Sequence, residues 1–455
     1  MSELKIISQH AGTVLVGQLA VMAFGVADTV IAGRYSDEAL AALSVGSAIY
    51  ISVYVGLIGI VQALLPIWAE MRGARQYEAV GQSLRQSLYL CSFITAAGMA
   101  ALLFPGPLLR WAQVPELMQD DVRHYLAILA FGFVPSLLFR VYSTFNQSLG
   151  KPLLVTWLQV GALALKIPLS IWLVAGGGGV EPMGVAGCAL ATLIVNYLLL
   201  VLALVMLRSQ ALYRPFCIWR RMERPDWPQI RGFARLGIPG GLAYLVEVTS
   251  FTLMALFIAR LGTTASASHQ IAASVAAVLY MMPLSMAIAC SARVSFWLGA
   301  ERPDYARRVV VLGLKLTGLA ALVLAATISV AGKLLASWYS GSPAIISLAS
   351  SLLVWVAFYH VADATQALCA FLLRCYRITL TPLVLYGIFL WGLGLFGGYL
   401  LAYEGIAGRA ATQSASSFWA ASTIAIGLAA ACLLGLLWRV VWQSQRAIPG
   451  KTQAA

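Results

Sequence analysis

Charge is what this sequence has least of. Aspartate, glutamate, lysine and arginine together make up 10% of its 455 residues, and only 17 residues are acidic. An ordinary soluble domain carries roughly 25% charged residues. With 61% hydrophobic residues, the chain has too little polar surface to coat a water-soluble core. Its cysteines (Cys91, Cys188, Cys217, Cys290, Cys369, Cys375 and Cys432) are odd in number and lack metal-ligand spacing, which leaves them as small packing residues. No glycine-rich loop ends in Lys-Ser or Lys-Thr, so no nucleotide motor is indicated, and AGGGGVEPMGVAG around Glu181 reads as a flexible turn. The net charge of +13 comes without a basic stripe interleaved with aromatics on any soluble segment, which argues against nucleic acid as a partner.

Long apolar runs are what the sequence does have. A bilayer core about 30 Å thick is crossed by roughly 20 helical residues. Runs of that order fall near 12–32, 44–66, 87–105, 124–147, 152–175 and 183–207, and again near 236–259, 265–290, 309–331, 346–373, 379–402 and 416–440. The expected class is therefore an all-α polytopic membrane protein with twelve transmembrane helices. Its divisions are a lobe over 1–207, a basic linker over 208–235, a second lobe over 236–440 and a tail over 441–455. MSELKIISQHAG leads into the first run without a convincing cleavage site, so that run is read as a retained span. In the linker, Arg208, Arg214, Arg220, Arg221, Arg224, Arg231 and Arg235 face only Glu223 and Asp226, which makes it cytoplasmic and puts both termini on the same side.

The two sets of runs resemble each other. A shift of 226 residues pairs Arg34 with Arg260, Tyr54 with Tyr280, Gly73 with Gly299 and Ala74 with Ala300, and matches Glu78 to Asp304. Six spans separate the copies, so both halves thread the membrane in the same sense. That predicts two six-helix bundles related by a parallel pseudo-two-fold repeat, with a cleft between them.

Three acids lie well inside apolar runs: Asp28, Glu247 and Asp363. A carboxylate at mid-span costs roughly 2.5–3.5 kcal/mol, so something must offset it: water, a cation, a proton or a base. Tyr359 and Gln366 stand four residues before and three after Asp363 and share its helix face. Two carboxylates from different helices with a tyrosine suit a small hard cation, and Glu247 with Asp363 is a candidate Na+ site. His360 points elsewhere, and Lys315 lies near a span end where it can snorkel. Pro168, Pro239 and Pro283 are expected to interrupt their helices, either as ordinary kinks or as mobile hinges. Phe251, Tyr280, Met281 and Met282 supply candidates for a pliable substrate wall.

These residues carry a family resemblance. FGVADTVIAG followed by ALAALS resembles the opening helix of the multidrug and toxic compound extrusion (MATE) transporters. LGIPGGLAYLVEVTSF and ASHQIAASVAAVLYMMPLSMAIACSARV resemble their second lobe, and the span with Tyr359 and Asp363 resembles its cation-site helix. The likeness is closest to the NorM-type branch and covers nearly the whole chain. It implies alternating access in a bacterial inner membrane, with organic cations exported in exchange for Na+ or H+. It also implies no catalytic residue, no cofactor, membrane lipid as surroundings and a monomeric protein. By the same resemblance Glu247, Asp363 and Tyr359 match the cation-coupling cluster, and Asp28 matches the first-lobe acid. Where the family commonly has asparagines in an N-I-P-L-N pattern, this chain has Lys166 and Ser170 in LALKIPLS. A coupled Asp28–Lys166 pair is the expectation that follows.

Two other readings stay open. A flippase for lipid-linked precursors of the same superfamily would want a basic cleft, for which Arg140 and Lys166 are available. An intramembrane prenyl or acyl transferase would draw on Asp120 and Asp121 in ELMQDDVRHY, but these lack a second aspartate-rich motif and read as a loop cluster.

Overall fold

The structure, a computed structural model, describes residues 2–111, 116–177, 179–405 and 410–446. Most of the expected tail over 441–455 lies outside them. Among the described residues there is no strand, only an isolated bridge between Gly177 and Val180.

Among the described residues, twelve helical spans are long and apolar enough to cross a membrane, one for each expected run. The first six are α1 (Glu3–Tyr35), α2 (Asp37–Gln62) continued by α3 (Leu65–Gly73), α4 (Tyr77–Leu103), α6 (Glu116–Ser148), α7 (Leu153–Ala175) and α8 (Val185–Ser209), with a short α5 (Gly106–Trp111) before α6. A 3-10 turn, Ala211–Phe216, follows α8. Next come α9 (Trp227–Ala259), α10 (Thr263–Gly299), α11 (Pro303–Tyr339) and α12 (Pro343–Cys375). The eleventh span starts as α13 (Leu380–Tyr386), widens into π-helix over Gly387–Phe396, passes through α14 (Gly397–Tyr399) and ends in a second π stretch, Leu400–Glu404. The last span is α15 (Ala415–Arg446).

The helices outrun the apolar runs that announced them. At 1.5 Å per residue the 33 residues of α9 span about 50 Å, more than a bilayer core, so polar ends project or the helix tilts. The expected interruptions at proline do not occur: α7, α9 and α10 run on through Pro168, Pro239 and Pro283. A proline removes a single N–H, and in these long helices the turns on either side keep the rod continuous. Asp120 and Asp121 are likewise not in a loop. They sit exposed in the first turns of α6.

Two compact units emerge from the packing, Gly12–Gly241 and Met1–Ala11 with Leu242–Ala455. In the first, α6 is the central helix, touching α2, α4 and α8; in the second, α12 plays that part against α10, α11 and α15. The opening turns of α1 belong to the second unit, where Glu3 accepts hydrogen bonds from Arg293 (Nε, 2.9 Å) and Trp297 (3.1 Å).

The internal repeat is written into the turns. Arg75 and Glu301, 226 residues apart, both adopt left-handed backbone (φ 60° and 55°). Gln76 N–H donates to Met71 C=O exactly where Arg302 N–H donates to Trp297 C=O. At the next turn the shift is 227: Gly150 donates to Gln147 C=O as Arg377 does to Arg374 C=O, and Lys151 to Asn146 C=O as Ile378 does to Leu373 C=O.

The stretch between α8 and α9 is not a free basic loop. Arg85 of α4 donates to both carboxylate oxygens of Glu223 and to Cys217 C=O (2.8 Å). Gln86 donates to Arg224 C=O (3.0 Å) and accepts from Asp226 N–H (2.9 Å), and Tyr89 donates to Glu223 C=O (2.8 Å). Gly81 makes the approach possible, because a Cβ there would lie 1.7 Å from Phe216 C=O.

Candidate functional site

In the second unit, α9 supplies Glu247 and α12 supplies Asp363 and Tyr359. The α12 residues face inward because the stripe Leu352, Val356, Tyr359, Asp363, Gln366 and Ala370 repeats every three or four positions and is buried throughout. Glu247 and Tyr359 line one cavity with Ser250, Phe251, Met254, Leu390 and Ser422. Asp363 stands within electrostatic reach of Glu247. Its Oδ1 accepts from Gln366 Nε2 at 2.9 Å, while the Tyr386 hydroxyl donates to Gln366 Oε1. Among the described residues neither carboxylate makes an ion pair, and no hydrogen bond to the Glu247 carboxylate is found. Glu247 thus shares a cavity with a phenol, and a second acid from another helix stands within its electrostatic reach, an arrangement that offers oxygen ligands to a small cation or a place for a proton.

The wall of this cavity is aromatic. Phe251 meets Tyr359 edge-on (centroids 5.7 Å apart), and both rings contact Trp419 of α15, at 6.1 and 5.9 Å. Of the other candidates for the substrate wall, Tyr280 lines a second cavity that also reaches Glu247, together with Tyr244, Phe371, Arg374 and Tyr386. Met281 and Met282, half-buried, line neither cavity. His360 is buried and Lys315 exposed.

In the first unit, Lys166 of α7 donates to Asp28 Oδ1 of α1, and Ser170 one turn on reaches the same oxygen at 3.4 Å. The lysine is 1% exposed, and its ammonium also lies over the Phe24 ring at 5.6 Å. A buried pair of this kind holds two helices in register because either charge alone would be stranded.

Sequence reasoning missed Trp419, Tyr386 and Arg374. The two aromatics come from other helices, Tyr386 from α13 and Trp419 from α15, so no spacing along α12 links them to Asp363. Arg374 has a signal in hindsight: it lies eleven residues, about three turns, beyond Asp363 on the same face.

The charges that need explaining sit inside helices long and apolar enough to cross a membrane, so the molecule is a multi-pass membrane protein. Comparison with known proteins gives the family. The MatE family profile matches residues 14–172 and 239–400, and the chain belongs to that family. It is 39% identical over 433 residues to the probable multidrug resistance protein NorM of Aromatoleum aromaticum, spanning 95% of this chain and 93% of the relative. With the multidrug resistance protein PmpM of Pseudomonas aeruginosa it shares 33% identity over 88% of this chain and 84% of that one. Among solved structures, a MATE in the bent conformation superposes with a TM-score of 0.88 at 16% identity, covering 98% of this chain and 97% of the other. The eukaryotic MATE transporter AtDTX14 gives 0.84 at 18% identity, with 98% of each chain covered. At such identities the structures speak for the fold alone.

Proposed function

We propose that the protein is a cation-coupled antiporter that exports organic cations, drugs or toxic compounds by alternating access, with Na+ or H+ as the coupling ion taken up at Glu247, Asp363 and Tyr359. The observation that carries this reading is a pair of carboxylates within electrostatic reach of each other, neither with a basic ion-pair partner among the described residues, one of them lining an aromatic-walled cavity with Tyr359. A cationic substrate and an inorganic cation are stabilised by the same negative charge, so one displaces the other, and each favours the state in which its own contacts are best. The multidrug resistance names of the relatives agree with a substrate of mixed chemistry. The setting is a bacterial inner membrane with the Arg85–Glu223 clamp and both termini on the cytoplasmic side, as the basic linker requires. The flippase reading is weaker because Lys166, one of its two bases, is engaged by Asp28.

The test is dye efflux from proteoliposomes under separately imposed Na+ and pH gradients. One gradient should drive efflux, and Glu247→Gln with Asp363→Asn should abolish it while insertion is unaffected. Full ion-driven efflux by that double variant, or none by the wild type under either gradient, defeats the reading.

A further inference from the structure

Arg374 is a buried cation that the fold does not require. It is 6% exposed, and its Nη1 has no hydrogen-bond partner among the described residues. Nor does it make an ion pair there. It rests instead on aromatic faces, 4.4 Å from the Phe371 ring centroid and 5.3 Å from that of Tyr244. The equivalent position in the first half, by the matching turns, is Gln147, a neutral residue whose amide is satisfied by Gln62 (3.2 Å) and Ser143 (3.2 Å). The same turn therefore forms without a charge. A guanidinium stays protonated in proteins, and burying one without a carboxylate is costly unless another arrangement relieves it.

The relief is within reach. Arg374 and Glu247 line the same small cavity, with Tyr280 and Tyr386 on its other walls. The ionisable groups lining that space beside Arg374 are Tyr244 and Glu247 from α9, Tyr280 from α10 and Tyr386 from α13, while Asp363 from α12 lies within electrostatic reach of Glu247 and Tyr386. Only the carboxylates can take a cation as a charged partner. We infer that Arg374 is a built-in competitor for the coupling cation: with the ion bound, the guanidinium sits on Phe371 and Tyr244, and when the ion leaves, it crosses the shared cavity to Glu247. The carboxylates are then never left bare, and ion release is eased by a resident charge that replaces the leaving one. This rests on the coupling role proposed for Glu247 and Asp363.

Binding, not transport, tests it. Purified full-length protein in detergent is titrated with NaCl against choline chloride at fixed pH, and separately with acid at fixed ionic strength. Tryptophan fluorescence is the readout, since Trp419 packs on Tyr359. Arg374→Gln should lower the half-saturating ion concentration by about tenfold, within the usual range of coupling between sites. Arg374→Lys, which keeps a competing charge, should stay near the wild type. Phe371→Leu removes a resting place and should raise the half-saturating concentration. An unchanged or raised value in Arg374→Gln overturns the inference. Where that variant is not recovered folded, an unchanged or lowered value in Phe371→Leu does the same. If the wild type titrates no differently from the Glu247→Gln, Asp363→Asn double variant, the coupling reading falls and this inference with it; a normal wild-type titration with an indifferent Arg374→Gln sinks this inference alone.

Discussion

At the scale of the residue, the decisive facts are which buried charges have partners. Asp28 has Lys166, and removing one member of a buried pair typically costs about 3–5 kcal/mol because the other is left uncompensated. Asp28→Asn and Lys166→Met should each lower the melting temperature of the purified protein, while the double variant recovers most of the loss. Strict additivity of the two would show that the charges are not coupled. A second consequence concerns function. An acid already neutralised by a lysine is not a free ion carrier, so the Asp28→Asn, Lys166→Gln double variant should keep ion-driven dye efflux near the wild-type rate; its loss would move the coupling site into the first half. That pair was legible in the sequence because two opposite charges inside apolar runs need each other. Arg374 was not, since an arginine near the end of a span reads as one that snorkels to the interface.

At the scale of the element, the spans were legible because lipid demands about 20 apolar residues each, whereas their ends were not, because beyond the hydrocarbon a helix can continue with polar residues. Nothing in WGLGLFGGYL separates a π-helix from an ordinary one, so the widening of the eleventh span appears only in the structure. The linker read only as a basic cytoplasmic stretch because its docking partners, Arg85, Gln86 and Tyr89, lie over a hundred residues earlier. Its clamp carries a pH dependence. The hydrogen bond from Arg85 holds the Glu223 carboxyl below the usual glutamate range. The stabilisation is thus complete above the ordinary glutamate pKa and fades only as pH falls through the lowered value. Hydrogen exchange over residues 217–226 should therefore report a closed segment at pH 5–7, with Glu223→Gln opening it at neutral pH. An equally protected variant would show that the ion pair holds nothing. Gly81→Ala attacks the same junction by volume: with Phe216 C=O in the way, the helix or the turn must shift, at about 1–3 kcal/mol for overpacking. A melting temperature equal to the wild type would contradict the close approach.

At the scale of the molecule, the repeat supplies a frame and leaves the chemistry unrepeated. By the shift of 226, Asp28 corresponds to Met254 and Glu247 to Val21; by the shift of 227, Asp363 corresponds to Ser136 and Lys166 to Leu393. The turns are shared because both halves need the same chain reversals, while each acid stands in one half only. The charges of the two halves then differ in kind. Asp28 with Lys166 is neutral as a pair, whereas on the proposed antiport, with both carboxyls ionised, Glu247 and Asp363 against Arg374 carry one net negative charge for an arriving cation to meet. A single monovalent ion satisfies that charge, and so does a monovalent organic cation travelling the other way. Exchange of one for the other moves no net charge, although a single uncompensated charge would feel about 2.3 kcal/mol per 100 mV. Efflux of a monovalent cationic dye under a fixed ion gradient should accordingly proceed at the same rate whether a potassium diffusion potential of either sign or none is imposed with valinomycin. In the Arg374→Gln variant, where both carboxylates lack their resident counter-charge, a second ion is expected to enter and the rate to become sensitive to the potential. A several-fold dependence on potential in the wild type would mean that more than one positive charge enters for each substrate expelled, and the charge assignment in the second half would have to be redrawn.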